Sequence, residues 1–202
     1  MAMQRTLDGR PAWVLDRGLV LPRVVAMPCS IIAAVALTAL GAQVKVSLPG
    51  TPVPATLQVF FVLCAGLFMG QTASLAMAIY VLLGIAGIPV FADGQAGTGY
   101  LLGHTGGYIL GFMVAPLVMA LVYGGRPGGE CGVARLSLGL LAGLLAIYVP
   151  GVLWLSRSPL VGGLDRAIVI GALWFIPFDI VKMFGAAVVA RRRSVGGFRS
   201  GR

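Results

Sequence analysis

The chain has little charge. Only 10% of its 202 residues are Asp, Glu, Lys or Arg, where a soluble domain carries about 25%. That shortage, with 58% hydrophobic residues, excludes both an ordinary soluble globule and a disordered chain. Acids are scarcest: Asp8, Asp16, Asp93, Glu130, Asp165 and Asp179 are the full set. A single histidine, His104, makes no ligand cluster and reads as a loop residue. Neither an H-E-x-x-H helix nor a Walker A loop occurs, and no serine has a triad setting around it. The chain therefore has no evident means of hydrolysing ATP, and no metal or cofactor is expected. Any active transport would draw its energy from another subunit or from a gradient. Three cysteines are present. Cys29 and Cys64 lie in apolar runs and Cys131 in a loop, an odd number without metal spacing, so they read as unpaired thiols.

The net charge of +9 points to nucleic acid until its distribution is examined. Arg5, Arg10, Arg17 and Arg23 precede the first apolar run; Arg191, Arg192, Arg193, Arg199 and Arg202 follow the last. No aromatic residue interleaves that arginine cluster as a base-stacking surface requires. The pattern is that of cytoplasmic anchoring by the positive-inside rule, with contact to anionic lipid headgroups. The N-terminal segment lacks the pattern of a signal peptide, because its apolar run starts near Val24 and is long enough to span.

What the chain does have is glycine, 30 residues, and long apolar runs. A hydrocarbon core of ~30 Å needs about 20 residues of helix. Six segments qualify, at about 24–42, 57–71, 72–92, 105–123, 134–156 and 165–190, with the turn between the second and third near Gly70 to Ser74. With the N-terminus inside, the nine terminal arginines, Arg126 and Arg135 fall on the inner side. Only Lys45, Arg157 and Arg166 fall on the outer side. That bias supports six spans with both termini cytoplasmic. The expected organisation is a basic segment 1–23, a membrane domain 24–190 and a basic tail 191–202. No internal repeat stands out. The outer loop 43–56 contains Pro49, Pro52 and Pro54 and cannot be helical throughout.

The last apolar segment carries FIPFDIVKMF, with Asp179 and Lys182 three residues apart and so on one helix face. Each charge at a helix centre costs about 2.5–3.5 kcal/mol on insertion scales, which turns the pair into the bundle interior and makes it a candidate site. A carboxylate only accepts hydrogen bonds and an ammonium only donates them. Together they suit a neutral head offering both N–H and C=O, such as a cyclic urea. Pro177 can open the helix just before Asp179. A lock for helix packing is the bland alternative. Asp93, beside Gly94 and Gly97, is either a solvated turn residue or a second acceptor at a pocket mouth. Gly106 and Gly107, after Thr105 and before Tyr108, allow close approach of a ligand or of another helix. Tyr108 and Tyr100 can cover an apolar ring or sit in an interfacial belt. In the first span Ala26, Ser30, Ala34, Thr38 and Ala42 recur every four residues, a small-residue stripe suited to packing in this chain or against a partner.

Four segments, LPGTPVPATLQ at 48–58, GIPVFADGQAG at 87–97, LLGHTGGYILGF at 101–112 and IPFDIVK at 176–182, together resemble the BioY family, the biotin-binding S-components of energy-coupling-factor (ECF) vitamin transporters. The resemblance runs over about residues 24–190. It departs at His104, where the family usually has Pro, and at Phe178, where it usually has Gly. It implies an all-α, polytopic membrane protein, a six-transmembrane-helix bundle of the ECF S-component type, in the cytoplasmic membrane. Biotin would lie near the outer face, with Asp179, Lys182 and Asp93 around its ureido ring. Gln58, Thr105, Gly106, Gly107 and Tyr108 are the other expected contacts. The valerate carboxylate, repelled by Asp93, would point to backbone donors, water or Lys45. Expected partners are biotin, membrane lipid, a transmembrane coupling protein that would dock on the Ala26–Ala42 stripe, and ATPase subunits, with no nucleic acid. Other readings are an S-component for another vitamin, a membrane enzyme with Asp179 as acid or base, and a purely structural subunit.

Overall fold

A computed structural model describes residues 23–124 and 132–198. The basic stretch before Arg23, the connector with Arg126 and Cys131, and the final residues lie outside them. The described residues form an all-α bundle. Helix α1 covers Arg23–Gln43; a hairpin follows, β1 (Lys45–Val46) against β2 (Ala55–Thr56). Helices α2 (Gln58–Met69) and α3 (Thr72–Ile85) come next, then a short α4 (Thr98–Leu102) and α5 (Gly106–Tyr123). Helix α6 spans Val133–Leu155, and the last segment is split into α7 (Leu164–Gly171) and α8 (Ile176–Phe198). Three segments, Val25–Gln43, Val133–Leu155 and Leu164–Ala190, are long and apolar enough to cross a membrane; α2, α3 and α5 are shorter apolar helices. Leucines such as Leu40, Leu82 and Leu121 are exposed along these helices. An apolar surface of this extent is stable against lipid rather than water.

Local chemistry explains the breaks. Gly70 turns α2 into α3 with φ 58°, a conformation that only glycine adopts at no steric cost. Helix α3 stops at Ile85, short of the expected residue 92, because Gly87 follows its C-cap with φ 96° and Pro89 cannot continue a helix. Between β1 and β2 the prolines remove backbone donors. The hairpin therefore closes on only two residue pairs, Lys45 with Thr56 and Val46 with Ala55.

The sixth span is not one continuous helix. Ala172 leaves the helical region (φ −131°, ψ −59°) and Leu173–Phe175 form one 3₁₀ turn before α8 begins. The break lies ahead of Pro177, which occupies the first turn of α8. There a missing N–H costs nothing, because first-turn donors have no intrahelical partner. The Tyr108 hydroxyl donates to the carbonyl of Gly171 at 2.8 Å, so α5 holds the broken end of α7.

The small-residue stripe of α1 is taken up inside the chain. Ala26, Ala34, Thr38 and Ala42 are buried, Thr38 and Ala42 completely, and α1 packs against α2 and α3. Ser30 is half-buried, its hydroxyl turned back onto the Ala26 carbonyl. In this chain the small side chains of the stripe let α1 approach its own neighbours.

Candidate binding site under the hairpin

Alternation of the spans brings the hairpin, the α3–α4 loop, the start of α5 and the start of α7 to one end of the bundle. At that end a cavity of about 50 Å³ is lined by Val53–Thr56 of the hairpin, by Gln58, Tyr100, Thr105, Tyr108 and Tyr148, and by Phe175, Asp179 and Lys182. Counting apolar residues from 165 puts Asp179 near mid-membrane. The break at residues 172–175 puts Asp179 in the first turn of a new helix, α8, on a cavity that the hairpin also lines. A carboxylate there is favoured by the positive end of the helix dipole.

Among the described residues Asp179 is the most deeply buried charge, with a side chain 3% exposed. Its Oδ1 accepts from Lys182 Nζ at 2.7 Å and its Oδ2 accepts from the Tyr148 hydroxyl of α6. Lys182 is 12% exposed. Burying two charges is tolerated only when each has a partner and further hydrogen bonds complete the set. Tyr148 supplies one of those. Its ring meets Tyr108 edge-on, with centroids 6.3 Å apart. Sequence reasoning missed Tyr148 because one tyrosine in an apolar helix has the same signature as a core or interfacial ring. Its place three residues before Gly151, on the α5-facing side of α6, was the only available signal.

The arrangement leaves bonding capacity open. An ammonium has three donors, and Lys182 uses one on Asp179. A tyrosine oxygen that donates its hydrogen can still accept, and each carboxylate oxygen has a second lone pair. The cavity thus offers a donor and an acceptor from one turn of α8 and a second acceptor from α6, against the apolar walls of Val53, Ile109 and Ile147.

Gln58 is at the cavity with both ends of its amide engaged. Its Oε1 accepts from Thr56 Oγ1 at 3.0 Å and its Nε2 lies 2.5 Å from the Tyr80 hydroxyl. Tyr80 donates onward to the Val90 carbonyl at 2.9 Å. This chain of bonds ties the hairpin to α3 and to the loop after it. Tyr100 stacks on Phe91, with centroids 4.9 Å apart and planes 13° apart. Burial raises its phenol above the ordinary value, so it stays a protonated donor.

The other expected contacts lie elsewhere. Asp93 is 53% exposed and ion-paired with Lys45; its positive φ of 63° marks a tight turn. Gln43 secures that turn, accepting from Gly94 N–H at 3.1 Å and donating to the Phe91 carbonyl at 3.0 Å. Neither Asp93 nor Lys45 lines the cavity, and their ion pair already occupies Lys45 and neutralises Asp93. Gly106 and Gly107 do not line it either. A side chain at Gly107 would collide with the Pro150 carbonyl and Trp154 of α6, and one at Gly106 with the Leu101 backbone. Facing them, Gly151 admits the ring of Tyr108. Gly107 and Gly151 seat α5 on α6 and thereby place Tyr108 and Tyr148, while Gly106 lets α4 lie close to the start of α5.

Fold and site define a helical membrane protein with an internal polar pocket near one end. The sequence model of the BioY family matches residues 20–196, and the chain belongs to that family. It is 45% identical over 159 residues to a "Probable biotin transporter BioY" of Pyrococcus horikoshii, covering 78% of this chain and 90% of that one. It is 40% identical over 148 residues to the "Biotin transporter BioY" of Thermotoga maritima, covering 73% and 84%. Among solved structures, a crystal structure described as the S-component for biotin from an ECF-type ABC transporter matches 86% of this chain and 94% of its own, with a TM-score of 0.75 and 22% identity. The fold is therefore of the ECF S-component type.

Proposed function

We propose that this chain captures biotin at the hairpin end of its bundle and serves biotin uptake across the cytoplasmic membrane as the substrate-binding part of a transporter. The observation that carries the reading is the buried Asp179–Lys182–Tyr148 constellation opening onto the cavity. Biotin's ureido ring is a neutral head with two N–H donors and one carbonyl. Asp179 and Tyr148 would accept from the N–H groups while Lys182 donates to the carbonyl. Tyr100, Tyr108 and Phe175 would cover the apolar rings. Thr105 and Gln58 stand at the rim, Gln58 chiefly as the tie that holds it. The family membership and the relatives named as biotin transporters support this assignment.

The cavity is smaller than the 300–1,000 Å³ usual for small-molecule sites, so entry of biotin displaces the 53–56 segment. That movement is cheap, since a hairpin held by two residue pairs is marginal by itself. Six spans with both termini on the cytoplasmic side follow from the arginine bias, with the hairpin end outside. A coupling protein and ATPase subunits would supply the energy, because this chain has no nucleotide-binding loop. The site binds without turnover: its residues hold and release biotin unchanged, and no resident cofactor takes part.

Equilibrium dialysis of labelled biotin against the purified protein in detergent tests the reading. Saturable one-site binding that unlabelled biotin displaces, and thiamin and riboflavin do not, is the expected result. Displacement by either of those vitamins would reassign the substrate, and absence of saturable binding would remove the function. Mass spectrometry of the recovered biotin should find it intact.

A further inference from the structure

A second, larger cleft opens at the same end of the bundle, about 300 Å³ in volume, between the α4–α5 junction and the segment after α6. His104, Trp154, Arg157 and Ser158 line it. It is a neighbour of the biotin cavity, not part of it: Thr105 lines one and the adjacent His104 lines the other.

The chemistry of this cleft is one-sided. Its acceptors are used internally. The Gly103 carbonyl accepts from Trp154 Nε1 at 2.9 Å, and the Trp154 and Leu155 carbonyls accept from the N–H groups of Arg157 and Ser158 at 3.2 and 3.0 Å. Among the described residues, no hydrogen bond or ion pair engages the side chains of His104, Arg157 or Ser158. Among the described residues the ion pairs are Lys45–Asp93 and Lys182–Asp179, so Arg157 has no acidic partner there. A guanidinium with five N–H groups, a serine hydroxyl and an imidazole facing one space form a site for an oxyanion. A planar guanidinium also matches two oxygens of a phosphate at once. The surroundings select what the anion is attached to. Leu102 and Leu160 are 73% and 77% exposed and Leu153 is 49% exposed, an apolar border on which an acyl chain can lie. A tryptophan beside an arginine at the end of a membrane helix sits at headgroup depth.

We propose that this cleft binds the phosphate of an anionic phospholipid in the leaflet at the hairpin end, with Arg157 as its main ligand and His104 and Ser158 as second donors. The lipid would brace the α4–α5 junction from outside, while biotin occupies the cavity on its inner side.

The test is native mass spectrometry of the full chain released from nanodiscs containing equal amounts of phosphatidylglycerol and phosphatidylcholine, with biotin dialysis in parallel. The wild type should retain phosphatidylglycerol about fivefold over phosphatidylcholine, the preference expected for one basic residue near a membrane surface. Arg157→Gln should bring the ratio to parity and leave biotin affinity unchanged, whereas Ala→Ser substitution at Ala33, on the exposed face of α1, should leave both as they are. A wild type without preference, or an Arg157→Gln variant that keeps it, would overturn the proposal. So would displacement of the lipid by millimolar inorganic phosphate, which would make this a small-anion site. Loss of biotin affinity in Arg157→Gln would overturn it as well, assigning the cleft to the vitamin's carboxylate instead.

Discussion

Replacing Lys182 with Met separates what the buried pair does for the fold from what it does for the ligand. Asp179 and Lys182 are 3% and 12% exposed. The substitution therefore leaves a carboxylate in the interior with Tyr148 as its one remaining side-chain donor. Breaking a buried pair by removing one partner costs about 3–5 kcal/mol. For a chain of this size about 1 kcal/mol moves the melting midpoint by 2–4 °C, so Lys182→Met should melt at least ~6 °C below the wild type. Removing both charges, as Asp179→Leu with Lys182→Met, takes away the orphaned group and should restore most of that loss. Biotin binding should not recover in parallel. Hydrogen bonds to charged groups contribute about 1.5–3 kcal/mol each, so the double variant should bind at least ~100-fold more weakly. Thermal unfolding in detergent and biotin dialysis on the same preparations read both quantities. A double variant that regains stability and also binds biotin at wild-type affinity would show the pair to be a packing lock and refute its role in binding. A single variant as stable as the wild type would refute the energetic reasoning.

Tyr148→Phe removes the second donor to Asp179 and should weaken biotin binding about tenfold, measured by dialysis, and lower the melting midpoint by a few degrees, because a buried carboxylate loses a hydrogen bond. Gly107→Leu drives a side chain into the Pro150 carbonyl and Trp154 and should prevent recovery of monodisperse protein on size exclusion, whereas Gly99→Ala, in open space, should elute normally. Pro177→Ala should shift the melting midpoint by less than the resolution of the scan, because the first turn of α8 does not need that N–H. Lys45→Ala should cost no more than about 1 kcal/mol of stability, as exposed pairs do, and the difference from wild type should vanish at high salt.

The apolar helices were legible because hydropathy over long windows picks them out, although three of them are shorter than the expected spans, and the prolines of 43–56 announced a non-helical loop. The Asp179–Lys182 pair was legible because charge in an apolar helix is costly and persists mainly where it is partnered or used. The break at 172–175 was not, since Leu173, Trp174 and Phe175 continue the apolar run and nothing local marks a 3₁₀ turn. It depends on tertiary contacts, among them the Tyr108 bond to Gly171. Gly106 and Gly107 were read as allowing close approach of a ligand or of another helix, and the groups that approach them are the Leu101 backbone of α4 and the Pro150–Trp154 turn of α6. The α1 stripe was equally ambiguous, because small residues at a spacing of four fit any helix, and only burial shows that the neighbours are α2 and α3. Asp93 read either as a turn residue or as a pocket acceptor, and its ion pair with Lys45, far away in sequence, had no local signal. Tyr148 had no distinguishing pattern at all.

The proposed grip of Asp179, Lys182 and Tyr148 on the ureido head is tested most directly by one comparison. It is the affinity of the purified protein for biotin beside diaminobiotin, the analogue whose urea carbonyl is removed and whose nitrogens become amines. Loss of the carbonyl removes one hydrogen bond of the Lys182 ammonium, about 1.5–3 kcal/mol, and the freed amines, protonated at neutral pH, place like charge beside it in a buried site. Diaminobiotin should therefore bind at least ~100-fold more weakly than biotin in the wild type, with a much smaller ratio in Lys182→Met. Equal affinities for the two compounds in the wild type would contradict that assignment.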